Sequence, residues 1–465
     1  MFTKYKFITA FTLALMFFTS CKKEFLTKLP PTAVPPAQAL ATEADLQAAL
    51  RGAYSGLRAV DFFGRTVPLI GDLMADNAYV SLTNSGRYTL FNTYSWAVND
   101  GNITGFWRSA YTAILRANNI INADLAASAS VNQTKGEAYA IRALCYFYLV
   151  RYFAKPYTDD PNALGVPIVT HVDFDLKPTR SKVSEVYALI NSDLTQAYSL
   201  MTQYINSSQF SKYAAKGLQA KVYLTMGDKA NAKAAAVDVI NNGGFTVVTS
   251  ANYLSYWSTL LPRTDKVETL FEVSADANAN NGFDGLSNIY NQAGYGDMLV
   301  SDDLYALYDN ADIRKSLYTV GTRGGNPAIF ANNKFPGTFG SDISDTKVLR
   351  LSEMYFIAAE ASLPGDEASA LTFVNYITSR RGAPAIASSG AQLFEAIITE
   401  RRKELAFEGD RYLDLQRLKR DVVRSANYPA AARTIAYSNP RRLLPIPQAE
   451  MDANPNIRSQ QNPGY

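Results

Sequence analysis

The spacing of apolar residues predicts a chain built mainly of α-helices. Between residues 42 and 57, Leu46, Leu50 and Leu57 recur at intervals that place them on one helical face. Residues 137–153 carry a longer stripe of the same period, in which Cys145 is a small core residue. Further helices are predicted at 106–125 and 180–201. Each of these segments is expected to bury one face against the rest of the chain.

The last strong stripe carries a charge where an apolar residue is expected. Ile397, Ile398 and Leu405 share one helical face, and Arg401 falls on that same face. A buried guanidinium must be paired, because an unpaired buried charge is very costly. The carboxylates available to Arg401 are Glu404, Glu408 and Asp414.

We therefore predict a structural network of Arg401, Glu404, Glu408 and Arg411, in two helices that meet at a sharp corner near Gly409. A catalytic acid pair is the alternative interpretation of these carboxylates. It is disfavoured, because a general acid needs a raised pKa and neighbouring arginines lower it.

Two segments resemble tetratricopeptide repeats, in which two antiparallel helices meet at a Gly-Asp turn. The first has Gly227-Asp228 between small residues at Ala220 and Ala232, and the second has Gly365-Asp366. Both copies are degenerate. We predict that they form a scaffold, whereas a peptide-binding array is the alternative.

The remaining segments are irregular. Short strands are predicted at 246–248 and 269–273, and no clear period covers 61–105 or most of 250–346. Loops of this length in a helical body usually carry function. The predicted fold is thus mostly α, with tetratricopeptide-like helix pairs as scaffold, long irregular loops and a few short strands.

The composition limits the kinds of partner and site that the chain can have. The net charge is +3 on 465 residues, of which 47% are apolar and 19% charged, so the chain can bury a large core and no nucleic-acid partner is expected. A single histidine, His171, argues against a histidine-based metal site. Asp276, Asn278 and Asn280 begin like a calcium loop, but Ser287 stands where a bidentate glutamate is needed. We predict no cofactor, no metal and no catalytic residue.

The N-terminus predicts export. Lys4 and Lys6 precede an apolar run from Phe7 to Phe18, which is too short to span a bilayer permanently, and Ser20-Cys21 follows. Residues 1–20 are interpreted as a signal peptide and Cys21 as a lipidation site; plain secretion is the alternative. Residues 21–41 contain four prolines and form a lipidated leash. Residues 42–465 are expected to form one helical body, with an N-terminal part of about 42–245 and a C-terminal part of about 250–465.

The strongest resemblance lies in residues 400–419, ERRKELAFEGDRYLDLQRLK. This segment resembles the C-terminal signature of the SusD/RagB family of outer-membrane nutrient-binding lipoproteins. Leu444-Pro-Ile-Pro447 and the closing Gln461-Asn-Pro-Gly-Tyr465 are also similar to that family, as is the pattern of Trp107, Tyr111, Ile114 and Asn118.

The resemblance implies a non-catalytic protein that captures oligosaccharides and passes them to a TonB-dependent, SusC-like outer-membrane barrel. It also implies that the lipid holds the protein in the outer membrane, facing the cell exterior. A peptide-binding cap of a TonB-dependent importer is the first alternative. A surface glycosidase with carboxylates from the irregular loops is the second.

A ligand site is predicted in the aromatic loops, because pyranose rings stack on aromatic faces while amides and charged groups bind hydroxyls. The family's glycan binders place a Trp-x-x-Asn pair in the corresponding loop, which Trp96 and Asn99 match. The expected neighbours are Asp76, Arg87, Tyr290 and Tyr295. Burial of Trp96 in the core is the alternative.

Replacing Cys21 by alanine should release the protein from the membrane, because the thiol that carries the acyl chains is lost. Fractionation of cells expressing the wild type and the Cys21→Ala variant measures this. Retention of the variant in the membrane pellet after a high-salt wash would contradict the anchor.

Overall fold

A computed structural model of the protein describes residues 39–173 and 175–465. The predicted signal peptide, the lipidation site Cys21 and most of the leash lie outside these residues. The predicted helical fold is confirmed: helices supply most of the regular structure, and the strands are short.

Within the described residues, the first nine helices are α1 (Glu43–Leu57), α2 (Thr66–Leu73), α3 (Thr89–Thr93), α4 (Gly101–Ile121), α5 (Ala129–Phe153), α6 (Val183–Leu200), α7 (Lys212–Met226), α8 (Lys229–Asn242) and α9 (Tyr253–Ser258). The later helices are α10 (Leu286–Tyr290), α11 (Asp302–Ala306), α12 (Leu351–Ala361), α13 (Glu367–Arg381), α14 (Gly390–Leu405), α15 (Arg411–Arg417) and α16 (Gln448–Ala453).

The strands form antiparallel pairs. They are β1 (Ala78–Val80), β2 (Thr269–Val273), β3 (Met298–Val300), β4 (Thr319–Arg323), β5 (Asn326–Phe330), β6 (Thr346–Arg350), β7 (Val422–Val423) and β8 (Thr434–Ile435). The pairs are β1 with β3, β2 with β6, β4 with β5 and β7 with β8. Of the two predicted strands, 269–273 is present, whereas 246–248 supplies only the isolated bridge from Thr246 to Val267.

Two long helices begin earlier than their apolar stripes. α4 starts at Gly101 because the side chain of Asp100 accepts hydrogen bonds from the backbone N–H groups of Asn102 and Ile103. α5 starts at Ala129, where Ser128 caps the backbone N–H of Val131. A capping side chain satisfies free N–H groups before the first core residue is reached, so the stripe alone places the start too late.

The two tetratricopeptide-like segments are helical hairpins, as predicted. Gly227 (φ 79°) ends α7, and Asp228 caps α8 through the backbone N–H of Asn231. Asp366 caps α13 in the same manner. The hairpins are far apart in sequence but adjacent in space, since Lys233 of the first lies 2.8 Å from Asp366 of the second.

A buried network of charges joins the C-terminal helices to the sheet segments. The carboxylate of Glu404 lies at its centre. The guanidinium groups that donate to it belong to Arg314 (3.3 Å), Arg350 (2.9 Å) and Arg381 (2.8 Å). All four side chains are fully buried. Burial raises the pKa of Glu404, but the charges of Arg381 and Arg350 hold that pKa well below its ordinary value.

The partners of the predicted network differ in detail from the prediction. Arg401 pairs with Asp414 (2.8 Å) and with Glu353 (2.7 Å), and not with Glu404 or Glu408. Glu408 instead receives Arg350 (2.8 Å) and Lys334 (2.7 Å).

The corner is built by Asp72 of α2. α14 ends at Leu405, earlier than predicted, and the chain turns through two residues with positive φ, Phe407 (66°) and Gly409 (84°). The backbone N–H groups of both donate to the carboxylate of Asp72, at 3.0 and 2.8 Å. Burial raises the pKa of Asp72 to about 7, although these hydrogen bonds lower it.

No helix among the described residues is long and apolar enough to cross a membrane.

Replacing Arg401 by alanine should lower the free energy of unfolding by about 3–5 kcal/mol, because it leaves Asp414 and Glu353 as buried carboxylates that have lost a partner. Chemical denaturation followed by circular dichroism measures the loss. The matched control is Arg420→Ala. Arg420 pairs with the exposed Glu395 at 2.5 Å, and such surface pairs contribute about 0–1 kcal/mol. An unchanged unfolding midpoint in Arg401→Ala, together with lost ligand binding, would contradict the structural role.

Candidate functional site

Trp96 is a core residue and not a stacking platform. Its side chain is 0% exposed, packed between Phe91 (5.2 Å between ring centroids) and Tyr94 (5.0 Å). Its indole N–H donates to the hydroxyl of Tyr465 at 2.6 Å, across 369 positions of sequence. The predicted ligand contact by Trp96 is therefore corrected, since no face of the ring is open to a sugar.

Two further predicted residues are also buried. Tyr290 stacks between Phe335 (5.1 Å) and Phe407 (5.2 Å) with 0% of its surface exposed. Asp76 receives both donors of Arg411 at 2.8 Å, so it belongs with Arg411 in the buried charge network. Neither side chain is available to a ligand in this structure. Asn99 lies exposed, one residue before the cap of α4.

The structure brings Arg87 and Tyr295 together, two residues that are 208 positions apart by their numbers. The guanidinium of Arg87 lies 4.3 Å from the centre of the Tyr295 ring, in cation–π geometry. Arg87 also reaches Asp284 at 3.5 Å and Asp297 at 4.0 Å. These contacts hold the guanidinium over a partly exposed ring.

Tyr295 is one end of an exposed row of rings, here called the aromatic ridge, formed by Tyr295, Phe339 and Phe283. Phe339 meets Tyr295 at 5.5 Å and Phe283 at 5.0 Å, both edge to face. Phe283 and Phe339 are 53% and 55% exposed. This exposure is unusual, because phenylalanine rings are mostly buried in soluble proteins.

A groove of about 670 Å³, here called the amide groove, opens between β1, the β4–β5 hairpin and the loop at 426–429. Its lining includes the amides of Asn84, Asn92, Asn326 and Asn427, the hydroxyl groups of Ser81, Thr89 and Thr93, and the guanidinium of Arg323. Among the described residues that line it there is no carboxylate. This lining offers many donors and acceptors and little charge.

Two tyrosines form the aromatic part of the groove. Tyr79 and Tyr428 lie 6.0 Å apart, and burial raises the pKa of Tyr79 to about 12. Arg424 supports this part of the groove: it lies 4.6 Å from the ring of Tyr428 and donates to the backbone carbonyl of Asn92 at 2.9 Å. The groove residues are therefore held by a buried cation from the C-terminal segment.

Arg323 joins the ridge to the groove. It lines the groove, and its guanidinium donates to the backbone carbonyls of Tyr295 and of Thr83. Arg323 therefore connects the amide groove to the backbone of Tyr295, the residue at one end of the aromatic ridge.

Most residues of the aromatic ridge and the amide groove were not predicted from the sequence. Phe283, Phe339, Asn326 and Arg323 belong to the irregular region that was expected to carry function, but no period or motif singled them out. The available signal was the Gly324-Gly-Asn-Pro327 turn, which is typical of a hairpin tip and forms the β4–β5 turn here.

The predicted calcium-like loop is an ordinary turn. The Asp276 carboxylate accepts from the backbone N–H groups of Asn278 (2.7 Å) and Ala279 (2.8 Å). Within the described parts of the chain, no group of acidic, cysteine or histidine side chains is arranged to hold a metal ion.

Comparison with known proteins gives consistent matches. Residues 24–224 match a family model described as SusD-like, starch-binding associating with outer membrane, and residues 328–465 match the SusD family model. SusD-like protein P2 of Formosa agariphila is 28% identical, over 99% of this chain and all of that protein.

Solved structures agree with this assignment. A SusD superfamily protein from Bacteroides thetaiotaomicron is 31% identical, with a TM-score of 0.83, over 91% of this chain and 100% of that one. A putative sugar binding protein from Bacteroides vulgatus is 30% identical, with a TM-score of 0.81, over 91% of this chain and 98% of that one. The tetratricopeptide-like helical scaffold is common to this superfamily, and the chain belongs to the SusD family.

Proposed function

We propose that the protein is a non-catalytic, lipid-anchored glycan-binding protein of the outer membrane, which captures oligosaccharides on the aromatic ridge and in the amide groove. The observation that carries this proposal is the row of exposed rings beside a groove lined with amides. Pyranose C–H faces stack on rings, and amides bind hydroxyl groups in both directions. The similar protein from Bacteroides vulgatus that is described as a putative sugar binding protein supports the same class of ligand.

This surface is better suited to binding a glycan than to hydrolysing one. Most glycosidases place two carboxyl groups on either side of the scissile bond, about 5–10 Å apart. The described lining of the amide groove has no carboxylate, and beside the ridge Asp284 is engaged by Arg65 at 2.8 Å. Asp297 accepts hydrogen bonds from the backbone and the hydroxyl of Ser85. These contacts favour structural roles for both acids.

The captured oligosaccharide would pass to a TonB-dependent, SusC-like barrel, with the protein facing the exterior. Membership of the SusD family supports this step, and so does the cysteine at position 21. A peptide ligand remains the second candidate, because backbone amides could also bind in a groove lined with asparagines.

Replacing Tyr295 by alanine should weaken oligosaccharide binding at least about tenfold, or about 1.4 kcal/mol, because a stacking face is lost. The fold should stay nearly as stable, since the ring is partly exposed. The matched variant is Trp96→Ala, which should lose about 3–5 kcal/mol of folding free energy and keep its affinity while folded.

Calorimetric titration with a panel of neutral and acidic oligosaccharides, together with denaturant unfolding, separates the two variants. Unchanged affinity in Tyr295→Ala would remove the ridge from the site. Binding of peptides but not of glycans would favour the second candidate, and new reducing ends in the incubated mixtures would favour a glycosidase.

Extraction of native membranes with mild detergent should recover the protein together with a much larger β-barrel partner, because delivery requires a stable contact with the transporter. Affinity isolation followed by mass spectrometry measures this. As a control, the released Cys21→Ala variant is added to the same detergent extract, which shows whether the contact forms without a shared membrane. Recovery of the wild type without any barrel, in a detergent that preserves such pairs, would contradict the proposed delivery step.

A further inference from the structure

A second cavity, of about 240 Å³, lies between the loop at 155–160 and C-terminal residues between 416 and 443, and it shares no lining residue with the amide groove. It is bounded by Arg442, Gln416, Tyr437 and Lys155, together with Asp159 and Asp160. A water molecule occupies about 30 Å³ of liquid, so this space holds a small molecule or several waters.

Arg442 is the unusual member of this lining. Its side chain is only 2% exposed, with its guanidinium carbon 5.1 Å from the centre of the Tyr437 ring and 5.7 Å from that of Tyr412. One terminal nitrogen, Nη1, donates to the backbone carbonyl of Arg420 at 2.5 Å. Nε and Nη2 are buried and have no hydrogen-bond partner among the described residues.

The acidic residues that line the cavity do not pair with Arg442. Asp159 is taken by Lys419 at 2.7 Å and by the hydroxyl of Tyr437. Asp160 accepts from the backbone N–H of Asn162 at 2.9 Å. In the part of the chain that the structure describes, no carboxylate forms a salt bridge with Arg442, in contrast to Arg401 and the arginines around Glu404.

A buried guanidinium without a counter-ion is costly, and its planar donors match the oxygens of a carboxylate or sulfate. Gln416 lines the same cavity, and its buried amide oxygen also has no hydrogen-bond partner among the described residues. A hydroxyl group next to the anion would satisfy it. The exposed Lys155 adds a second positive charge.

We propose that this cavity binds a small oxyanion at the guanidinium group of Arg442. The oxyanion is either a free inorganic ion or the acidic group of a sugar acid, whose hydroxyls could also reach Gln416. This site is independent of the proposed oligosaccharide surface, and its test does not depend on that proposal.

Calorimetric titration of the full chain with sodium sulfate, sodium glucuronate and glucose, at constant ionic strength, tests the site. We expect saturable binding of at least one of the two anions and none of glucose, which lacks the charge. Tighter binding of glucuronate assigns the site to sugar acids, and equal or tighter binding of sulfate assigns it to free oxyanions. The absence of saturable binding for both anions overturns the proposal.

Substitutions of the lining residues test whether the anion binds in this cavity. Arg442→Met should weaken anion binding at least about tenfold. Sulfate also raises the melting temperature of proteins generally, because it is excluded from their surface. A rise in melting temperature therefore supports this site only if it saturates with sulfate in the wild type and does not saturate in the variant.

If Arg442→Met does not fold, Lys155→Gln replaces it, because Lys155 is exposed and its loss should weaken binding several-fold without affecting folding. The control is Lys177→Gln, an exposed lysine that does not line the cavity. Equal anion affinity in Lys155→Gln, Lys177→Gln and the wild type would place the binding elsewhere and overturn the assignment.

Discussion

Buried charges that pair around Glu404 hold distant segments of the chain together. Its carboxylate receives three arginines that come from α13, from the end of β6 and from the segment before β4, so one side chain joins parts of the chain that are far apart in sequence. Removing one partner would leave a buried charge unpaired, which costs far more than a lost surface contact. Buried charges therefore fix which segments meet, while the apolar stripes supply most of the favourable burial.

Buried charge pairs also connect the proposed binding surface to this network, through the corner at residues 406–410. Asp72 holds the backbone of that corner, and four residues further along Asp76 pairs with Arg411. β1 follows directly and brings Tyr79 into the amide groove, where Arg424 holds Asn92 and Tyr428. The groove is thus attached to a rigid, charge-paired part of the molecule, as a site that must keep its shape requires.

The aromatic residues show where prediction from sequence succeeds and where it stops. Tyr148 and Tyr152 belong to the apolar stripe of residues 137–153, whose period predicts burial, and both are buried. Trp96 and Tyr290 lie in segments without a period, and only the folded chain shows that Tyr465 and Phe335 cover them. Phe283 and Phe339 also lie in a region without a period, but they remain exposed. Burial of a loop residue is decided by distant partners, which local patterns do not report.

The helical class, the paired helices at Gly227-Asp228 and Gly365-Asp366, the family resemblance and the need to pair Arg401 could all be predicted from the sequence. These features depend on the period of a helix, on the φ angles that glycine permits and on the cost of a buried charge, all of which act locally. The folded structure was needed to show which carboxylate each arginine pairs with, that Arg87 lies on Tyr295, and that Arg442 pairs with no carboxylate of the described residues. Those outcomes depend on contacts between residues far apart in the chain, where many pairings satisfy the same local rules.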